Sequence, residues 1–404
     1  MRFTRARLSP SMRAEARSES ITIGAGYFWF YAGVGAFVPF NALYYRSLGF
    51  SGLELGILTA LPAIATALLG PIWGIVADTF GLHRQIMRVV LLLAAGIVWL
   101  LTDITTFVPF MVVIAMLAVV LVPVPSLWDS YAVSAVERGG APYGVLRIFG
   151  SIGFSVTVVI MGRVMAGGLS TIFLYVYAAC FIVTFLVSLR LPSLGERQPR
   201  RLFDGLRTVA ESAPYRLLLL VAFLITAGYT TLNIYLTIHI ESLGGDTGIA
   251  GIAFATSALS ELPVIGFGAV ILRHLGARRV IFIALGVYIL RFGIMGFTSN
   301  TSFVLVAQLL HGLSFGMFLI ASVTLAHRLV GRENAATAQA LLAMVSVGMG
   351  SITGSLLGGL AIDYISTSII FRAVMVSMTF ALLIFWIGTR RLEKSAYDPP
   401  PIAA

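Results

Sequence analysis

Residues 106–134 read TFVPFMVVIAMLAVVLVPVPSLWDSYAVS, a continuous apolar run that contains a single charged side chain, Asp129. A helix of this length can cross the hydrocarbon core of a bilayer, which is about 30 Å thick. Helices are predicted rather than strands because the apolar residues are continuous rather than alternating, and because hydrocarbon requires satisfied backbone groups. This run therefore predicts a membrane span.

The whole chain is built in the same way. Of its 404 residues, 58% are hydrophobic and 11% are charged, and the mean hydropathy is +0.96. Soluble domains carry about 25% charged residues. The sequence therefore predicts an all-α membrane protein with twelve transmembrane helices, at 22–46, 53–77, 85–102, 106–134, 144–167, 169–190, 214–240, 249–272, 279–298, 302–327, 335–361 and 369–390.

The spans fall into two sets of six. The longest polar stretch, residues 191–213, separates them, which predicts an N-terminal bundle at 22–190 and a C-terminal bundle at 214–390. Residues 1–21 and 391–404 are expected to be cytoplasmic tails. Two bundles joined by one linker can rock against each other around a site near the membrane midplane.

The net charge of +10 could suggest a nucleic-acid partner, but its distribution predicts otherwise. Of the 27 lysines and arginines, 22 fall in the tails and in the loops on one side, three fall on the other side, and Arg147 and Arg291 lie within helices. The positive-inside rule then places both termini in the cytoplasm. We expect a monomeric, multi-pass protein of the plasma (inner) membrane. The lipid bilayer is its expected partner, and we expect no nucleic-acid partner.

The sequence contains no recognisable enzyme motif. We find no phosphate-binding Gly-Lys-Ser/Thr loop, no His-Glu-x-x-His and no Cys-x-x-Cys, and Cys180 is the only cysteine. No cofactor, metal site or catalytic residue is predicted. The missing phosphate loop argues against an ATP-driven pump with its nucleotide domain in this chain.

A short motif follows the second span: Gly74-x-x-x-Asp78-x-x-Gly81-x-x-Arg84. The glycines allow a tight turn, Asp78 can accept hydrogen bonds from the amides that begin the next helix, and Arg84 offers a cationic partner. We predict a conformational latch here. The motif resembles the signature loop of the major facilitator superfamily, although Leu272 replaces the acid at the equivalent point of the second half.

A narrower resemblance covers most of the chain. It rests on segments that are similar to the phenylpropionate permease branch, relatives of the lactose permease. These are Trp128-Asp129, Tyr143-Gly144-x-x-Arg147-x-x-Gly150-Ser151-x-Gly153-Phe154, Glu261-Leu262-Pro263, Leu275-Gly276-Ala277-Arg278-Arg279, Arg291, Gln308-Leu309-Leu310-His311-Gly312-x-Ser314-Phe315-Gly316 and Ala338-Gln339-Ala340. The resemblance implies the major facilitator fold, alternating access and proton-coupled uptake of a small organic solute.

Asp129 and Arg147 are the first two charges that lie deep inside the predicted spans rather than near their ends. The hairpin between the fourth and fifth spans puts them at similar depth, so they can pair. The resemblance assigns an acid and an arginine on these helices to the substrate, and Trp128 joins them. The alternative is a permanent ion pair that fastens the two helices together. In hydrocarbon either charge costs at least a few kcal/mol.

The first span carries a polar and aromatic stripe. Tyr27, Tyr31, Val38, Asn41 and Tyr45 fall within about 60° of one another at 100° per residue. Because a lipid-facing stripe would hardly include Asn41, we predict that Tyr27, Tyr31 and Asn41 line a substrate cavity. Packing against a neighbouring helix is the alternative.

Glu261 and Arg291 lie near the midplane of adjacent spans and are predicted to form an ion pair. A buried carboxyl favours its neutral form when separated from a cation and its charged form when paired. Glu261 is therefore a candidate proton carrier, with a static pair or direct substrate contact as alternatives. His311 could relay the proton or simply be a neutral histidine bonded to a neighbouring helix.

Three further residues complete the predicted substrate site. Gln308 lies three residues before His311, and Tyr229 and Asn233 are four apart in the seventh span. The sequence thus predicts a secondary active transporter, a symporter that moves protons together with an aromatic carboxylate, a sugar or a nucleoside. An exporter of the same fold, or a non-transporting membrane sensor or assembly protein, stays open.

Overall fold

The structure, a computed structural model, describes residues 10–168, 170–194, 209, 211–331 and 333–391. These ranges fold into helices throughout. The helices are α1 Pro10–Phe37, α2 Asn41–Ser47, α3 Gly52–Phe80, α4 His83–Leu100, α5 Phe107–Leu121, α6 Pro123–Glu137, α7 Tyr143–Met165, α8 Ile172–Ser188, α9 Ala213–Ser242, α10 Thr247–Gly266, α11 Gly268–Leu275, α12 Ala277–Phe297, α13 Thr301–Leu309, α14 Met317–Val330, α15 Ala335–Ala343, α16 Ser351–Ile362 and α17 Thr367–Arg391.

The twelve predicted spans are confirmed. Eleven helical segments of the described ranges are long and apolar enough to cross a membrane, and the sixth span is the shorter apolar helix Ile172–Ser188. The first helix begins at Pro10, ahead of the predicted edge at residue 22. The predicted linker falls largely on 195–208 and 210, and the tails partly on 1–9 and 392–404. These residues lie outside the described ranges, so the domain boundaries stay a prediction.

Several spans are broken near a proline. Pro39 lies between α1 and α2, Pro123 begins α6, and Pro263 lies in the last turn of α10 before the break at Phe267. A proline lacks the backbone N–H that a continuous helix needs, so the chain bends there. Two π-helical turns, Gly312–Gly316 and Met344–Gly350, interrupt the tenth and eleventh spans. Single π turns inside α-helices occur frequently at functional sites.

Helices α1 and α7 pack together through glycines. A Cβ atom added at Gly153 would overlap the backbone oxygen of Phe28, and one added at Gly35 would lie 2.6 Å from the oxygen of Phe154. Small residues let membrane helices approach this closely, and dispersion contacts then replace the missing hydrophobic driving force. This contact fixes α7, which carries Arg147, against α1, which carries Tyr27.

Replacing Gly153 by Ala should destabilise the protein by about 1–3 kcal/mol, because the added methyl group cannot fit against the Phe28 carbonyl. Gly144 lies in the same helix, and a Cβ atom added there would have no neighbouring atom within 4 Å, so Gly144→Ala is the matched control. Thermal unfolding in detergent measures both. Equal melting temperatures for the two variants would contradict the close packing of α1 on α7.

The two halves meet at the face opposite Pro10 and Arg391, where the first helix begins and the last helix ends, and this face is here called the far side. The N–H of Gly52 donates to both carboxylate oxygens of Asp363 at 2.8 Å, and the Thr247 hydroxyl donates to the Gly162 oxygen at 2.9 Å. The Thr237 hydroxyl donates across the same interface to the Pro39 oxygen at 2.5 Å. The far side is therefore closed.

Asp363→Asn should loosen this closure. Gly52 begins α3, and an anion at a helix N-terminus contributes roughly 1 kcal/mol, which corresponds to about a fivefold shift between closed and open far sides. Distances between spin labels on the far-side ends of α3 and α16 would report the shift. Asp103→Asn, an exposed acid on the same side, is the control and should leave the distances unchanged.

Candidate functional site

The first polar cluster is built around Asp129 on α6. Its Oδ1 atom accepts hydrogen bonds from the Tyr27 hydroxyl on α1 at 2.5 Å and from the Tyr143 hydroxyl on α7 at 3.0 Å. Hydrogen bonds to an ionised acceptor are stronger than neutral ones. Two phenols on two other helices therefore hold this carboxylate in place.

The predicted ion pair between Asp129 and Arg147 is wrong. No salt bridge joins these two described residues. The Arg147 guanidinium instead lies over the ring of Tyr31, 4.2 Å from its centroid, and 5.6 Å from the centroid of Tyr27. The phenols occupy the carboxylate, and the ring faces attract the cation. The half-buried guanidinium keeps its N–H groups free of any carboxylate within the described ranges.

The rest of the predicted first-half set is only partly assembled. Trp128 is fully buried against Tyr27, with ring centroids 6.2 Å apart, so it packs behind the site. Asn41 lies in α2, beyond the break at Pro39, and is not brought to Asp129. The expectation of one continuous stripe along the first span is wrong, because the break interrupts the regular 100° spacing.

The second cluster joins α10, α12 and the tenth span, in which His311 lies between the end of α13 and the π turn Gly312–Gly316. Arg291 Nη1 contacts His311 Nδ1 at 2.7 Å, and His311 Nε2 contacts Glu261 Oε1 at 2.6 Å. Arg291 and His311 are buried, whereas the Glu261 side chain is 23% exposed. The predicted direct pair of Glu261 with Arg291 is wrong, because the imidazole stands between them. The three predicted coupling residues are nevertheless brought together.

The contacts define the protonation of His311. Arginine has only donors, so Nδ1 of His311 must accept. The single proton of a neutral imidazole then lies on Nε2 and is donated to Glu261. A second proton on the ring would point an N–H at the Arg291 guanidinium. Glu261 is therefore the group of this chain that can take a proton while Nδ1 of His311 still accepts from Arg291.

Gln308 belongs to this second cluster. Its Oε1 accepts from Arg291 Nη2 at 2.5 Å and from the Ser257 hydroxyl at 2.8 Å. The Gln308 side chain is fully buried, so it does not face a cavity. Its amide instead holds the Arg291 guanidinium in position. Its predicted role in substrate contact is not what the geometry favours.

Aromatic rings flank Glu261 and His311. The Tyr229 ring on α9 stacks on Phe315 at a centroid distance of 4.4 Å and on His311 at 5.5 Å. The Asn233 amide donates to the Tyr229 backbone oxygen at 3.0 Å, so this predicted residue is satisfied within its own helix. Tyr229 is thus brought to the cluster, and Asn233 is one turn away.

The predicted latch has a different partner from the expected one. Asp78 contacts His83 Nε2 at 3.0 Å instead of Arg84, because α4 begins at His83 and turns Arg84 away. Gly81 has φ = 61°, a left-handed conformation that favours glycine, and it ends α3. Gly74 has open space around it. His83 is the residue that sequence reasoning missed here.

Tyr143, Ser257 and Phe315 were also missed as site residues. Each lies four residues from a recognised one, namely Arg147, Glu261 and His311. Residues four apart share a helix face. That spacing was the available signal.

Comparison with known proteins agrees with this architecture. A family model described as the MFS_1 like family matches residues 21–373. The chain is 27% identical over 341 residues to the maltose permease of Geobacillus stearothermophilus, covering 83% of this chain and 86% of the permease. It is 21% identical over 377 residues to the probable 3-phenylpropionic acid transporter of Escherichia coli (strain K12), covering 88% and 94%.

The fold also matches a solved structure. The crystal structure of the nucleoside transporter NupG superposes with a TM-score of 0.80 at 18% identity, covering 93% of this chain and 99% of that one. At this identity the match shows the fold alone. The family model, in contrast, spans most of the chain. The chain therefore belongs to the MFS_1 like family and is a multi-pass membrane transporter of the major facilitator superfamily.

Proposed function

We propose that this transporter couples the movement of one proton to the uptake of a small organic solute. The observation that carries the proposal is the chain Arg291–His311–Glu261, which joins three helices of the second half. A secondary transporter needs a group that binds a proton in one state and releases it in another. Glu261 fits this role because it is the one member of the chain that is partly exposed.

The coupling step follows from charge. When Glu261 is ionised it accepts from His311, and the buried positive charge of Arg291 is balanced through the neutral imidazole. When Glu261 takes a proton, that balance is lost and the contact with His311 weakens. The two protonation states therefore favour different arrangements of α10 and the tenth span, and a coupled conformational change requires such a difference.

Arg147 supports an anionic solute. Its guanidinium is fixed over Tyr31 with no carboxylate partner among the described residues, while two phenols hold Asp129. A planar guanidinium with free N–H groups suits a carboxylate, which it can bind through two parallel hydrogen bonds. The rings of Tyr229 and Phe315, stacked on each other and on His311, add aromatic surface beside the second cluster. An aromatic carboxylate is the first solute to test, before sugars and nucleosides.

The remaining assignments complete the proposal. We assign both termini to the cytoplasmic side of the inner membrane. With the far side closed, this structure then represents an inward-facing state. The transporter acts as a monomer. Asp78 and His83 act as the latch on the cytoplasmic side and exchange partners as the bundles rock. Nucleic acid has no part in this function.

Proton movement in proteoliposomes that enclose a pH dye tests the proposal. The purified protein is challenged with aromatic carboxylates, disaccharides and nucleosides, and protein-free vesicles serve as the control. A solute that acidifies the lumen as it enters establishes symport and names the substrate class. Solute entry without any proton movement would contradict coupling, and a rise in lumenal pH on entry would indicate exchange.

A further inference from the structure

Three buried polar atoms around Arg291 have no hydrogen-bond partner within the described ranges. They are Arg291 Nε, Gln308 Nε2 and the Tyr288 hydroxyl, on side chains that are at most 1% exposed. Buried polar groups are normally satisfied, so each such group calls for an explanation. None of the three is used by the proton chain described above.

These atoms belong to one small region. The Gln308 amide is in contact with Arg291, whose Nη2 donates to Oε1 at 2.5 Å. Tyr288 precedes Arg291 by three residues on α12, so the two share a helix face. Arginine Nε and an amide nitrogen are obligate donors, and a tyrosine hydroxyl can donate. The three unpartnered atoms are therefore two obligate donors and one hydroxyl that can donate, which suits a ligand that accepts hydrogen bonds.

Charge favours an anion over a water molecule. Within the described ranges no carboxylate touches the Arg291 guanidinium, because His311 separates it from Glu261. A buried cation without a direct counterion is unfavourable, because the lost hydration is not replaced by a nearby opposite charge. A water molecule satisfies the donors but adds no negative charge, so Arg291 relies on Glu261 alone, through the imidazole, and loses that balance when the carboxyl is protonated.

We propose that Arg291, Gln308 and Tyr288 form a binding site for a small inorganic anion of halide size. The anion accepts from the three donors and acts as the counterion of Arg291. The affinity of the site for the anion is linked to Glu261. Protonation of that carboxyl removes the only negative charge of the chain Arg291–His311–Glu261, so the anion then binds more tightly. By linkage, the anion in turn favours the protonated carboxyl.

Thermal unfolding of the purified protein in chloride, bromide or gluconate at constant ionic strength tests the site. We expect chloride and bromide to raise the melting temperature in a saturable way, with a tighter apparent affinity in Glu261→Gln. Gln308→Met and Tyr288→Phe should each weaken that affinity about tenfold, the loss expected for a hydrogen bond of about 1.4 kcal/mol. A bromide anomalous signal beside Arg291 in crystals would support the site independently of these variants.

The control is Tyr215→Phe, a buried tyrosine whose hydroxyl donates to the Ala338 oxygen at 2.6 Å. It should lower stability without changing the halide dependence. If halides and gluconate give the same melting curve in the wild type and in Glu261→Gln, the occupant is water and the proposal is wrong. It is equally wrong if Gln308→Met and Tyr288→Phe keep the full halide response. Neither readout requires transport, so proton coupling can fail while this site stands.

Discussion

Replacing Glu261 by Gln should abolish accumulation of the solute against its gradient while leaving downhill exchange close to the wild-type rate. Gln keeps the size of the side chain and can still accept a hydrogen bond from His311 Nε2, so the helix contacts persist. It cannot take up a proton, so the driving force is lost. Uptake and counterflow assays in the same proteoliposomes measure the two activities.

The matched control is Glu241→Gln, an exposed acid on the far side at the end of α9. It should accumulate solute like the wild type. If Glu261→Gln still concentrates solute, Glu261 is not the coupling residue and its contact with His311 is structural. If the variant loses exchange as well, Glu261 contacts the substrate directly.

Replacing Arg147 by Gln should weaken binding of an anionic solute by roughly 10- to 100-fold, the loss expected for charge-assisted hydrogen bonds. Arg147→Lys should bind the anionic solute more weakly than the wild type but more tightly than Arg147→Gln, because the ammonium keeps the charge but loses the planar fork. Asp129→Asn should change affinity much less, since the two phenols and not Arg147 hold that carboxylate. Binding to protein in detergent, followed by calorimetry, measures all three.

Arg163→Gln provides the control, because this exposed arginine lies at the far-side end of the same helix. Its affinity should equal that of the wild type. Equal losses in Arg147→Gln and Asp129→Asn would instead mean that the two charges act as a pair. Unchanged affinity in both would remove this cluster from the substrate site.

The spans were predictable because each carries its own signal. Length and apolar composition are local properties, so all twelve could be read without knowing their neighbours. The depth of a charged residue is also local, and it placed Glu261 and Arg291 at one level, where His311 joins them in the structure. The edge of the first helix was missed because charged residues before Ile21 continue the helix outside the apolar run.

The partners of each charge were not predictable, because they depend on helix rotation and on residues far away in the chain. Tyr27 reaches Asp129 across 102 positions, and nothing in either segment specifies that contact. A single step along a helix turns a side chain by 100°, which is why Asp78 meets His83 and not Arg84. The insertion of His311 between Glu261 and Arg291 has the same origin.

The two π-helical turns give the halves of the protein different mechanical properties. A π turn holds one residue more than an α turn, so moving the bulge along its helix rotates the intervening segment while both ends stay anchored. Both bulges, Gly312–Gly316 and Met344–Gly350, lie in the second half, and the first of them directly follows His311. Among the described residues, π-helical turns occur only in the second half, which thus has a built-in means of torsion that the described part of the first half lacks.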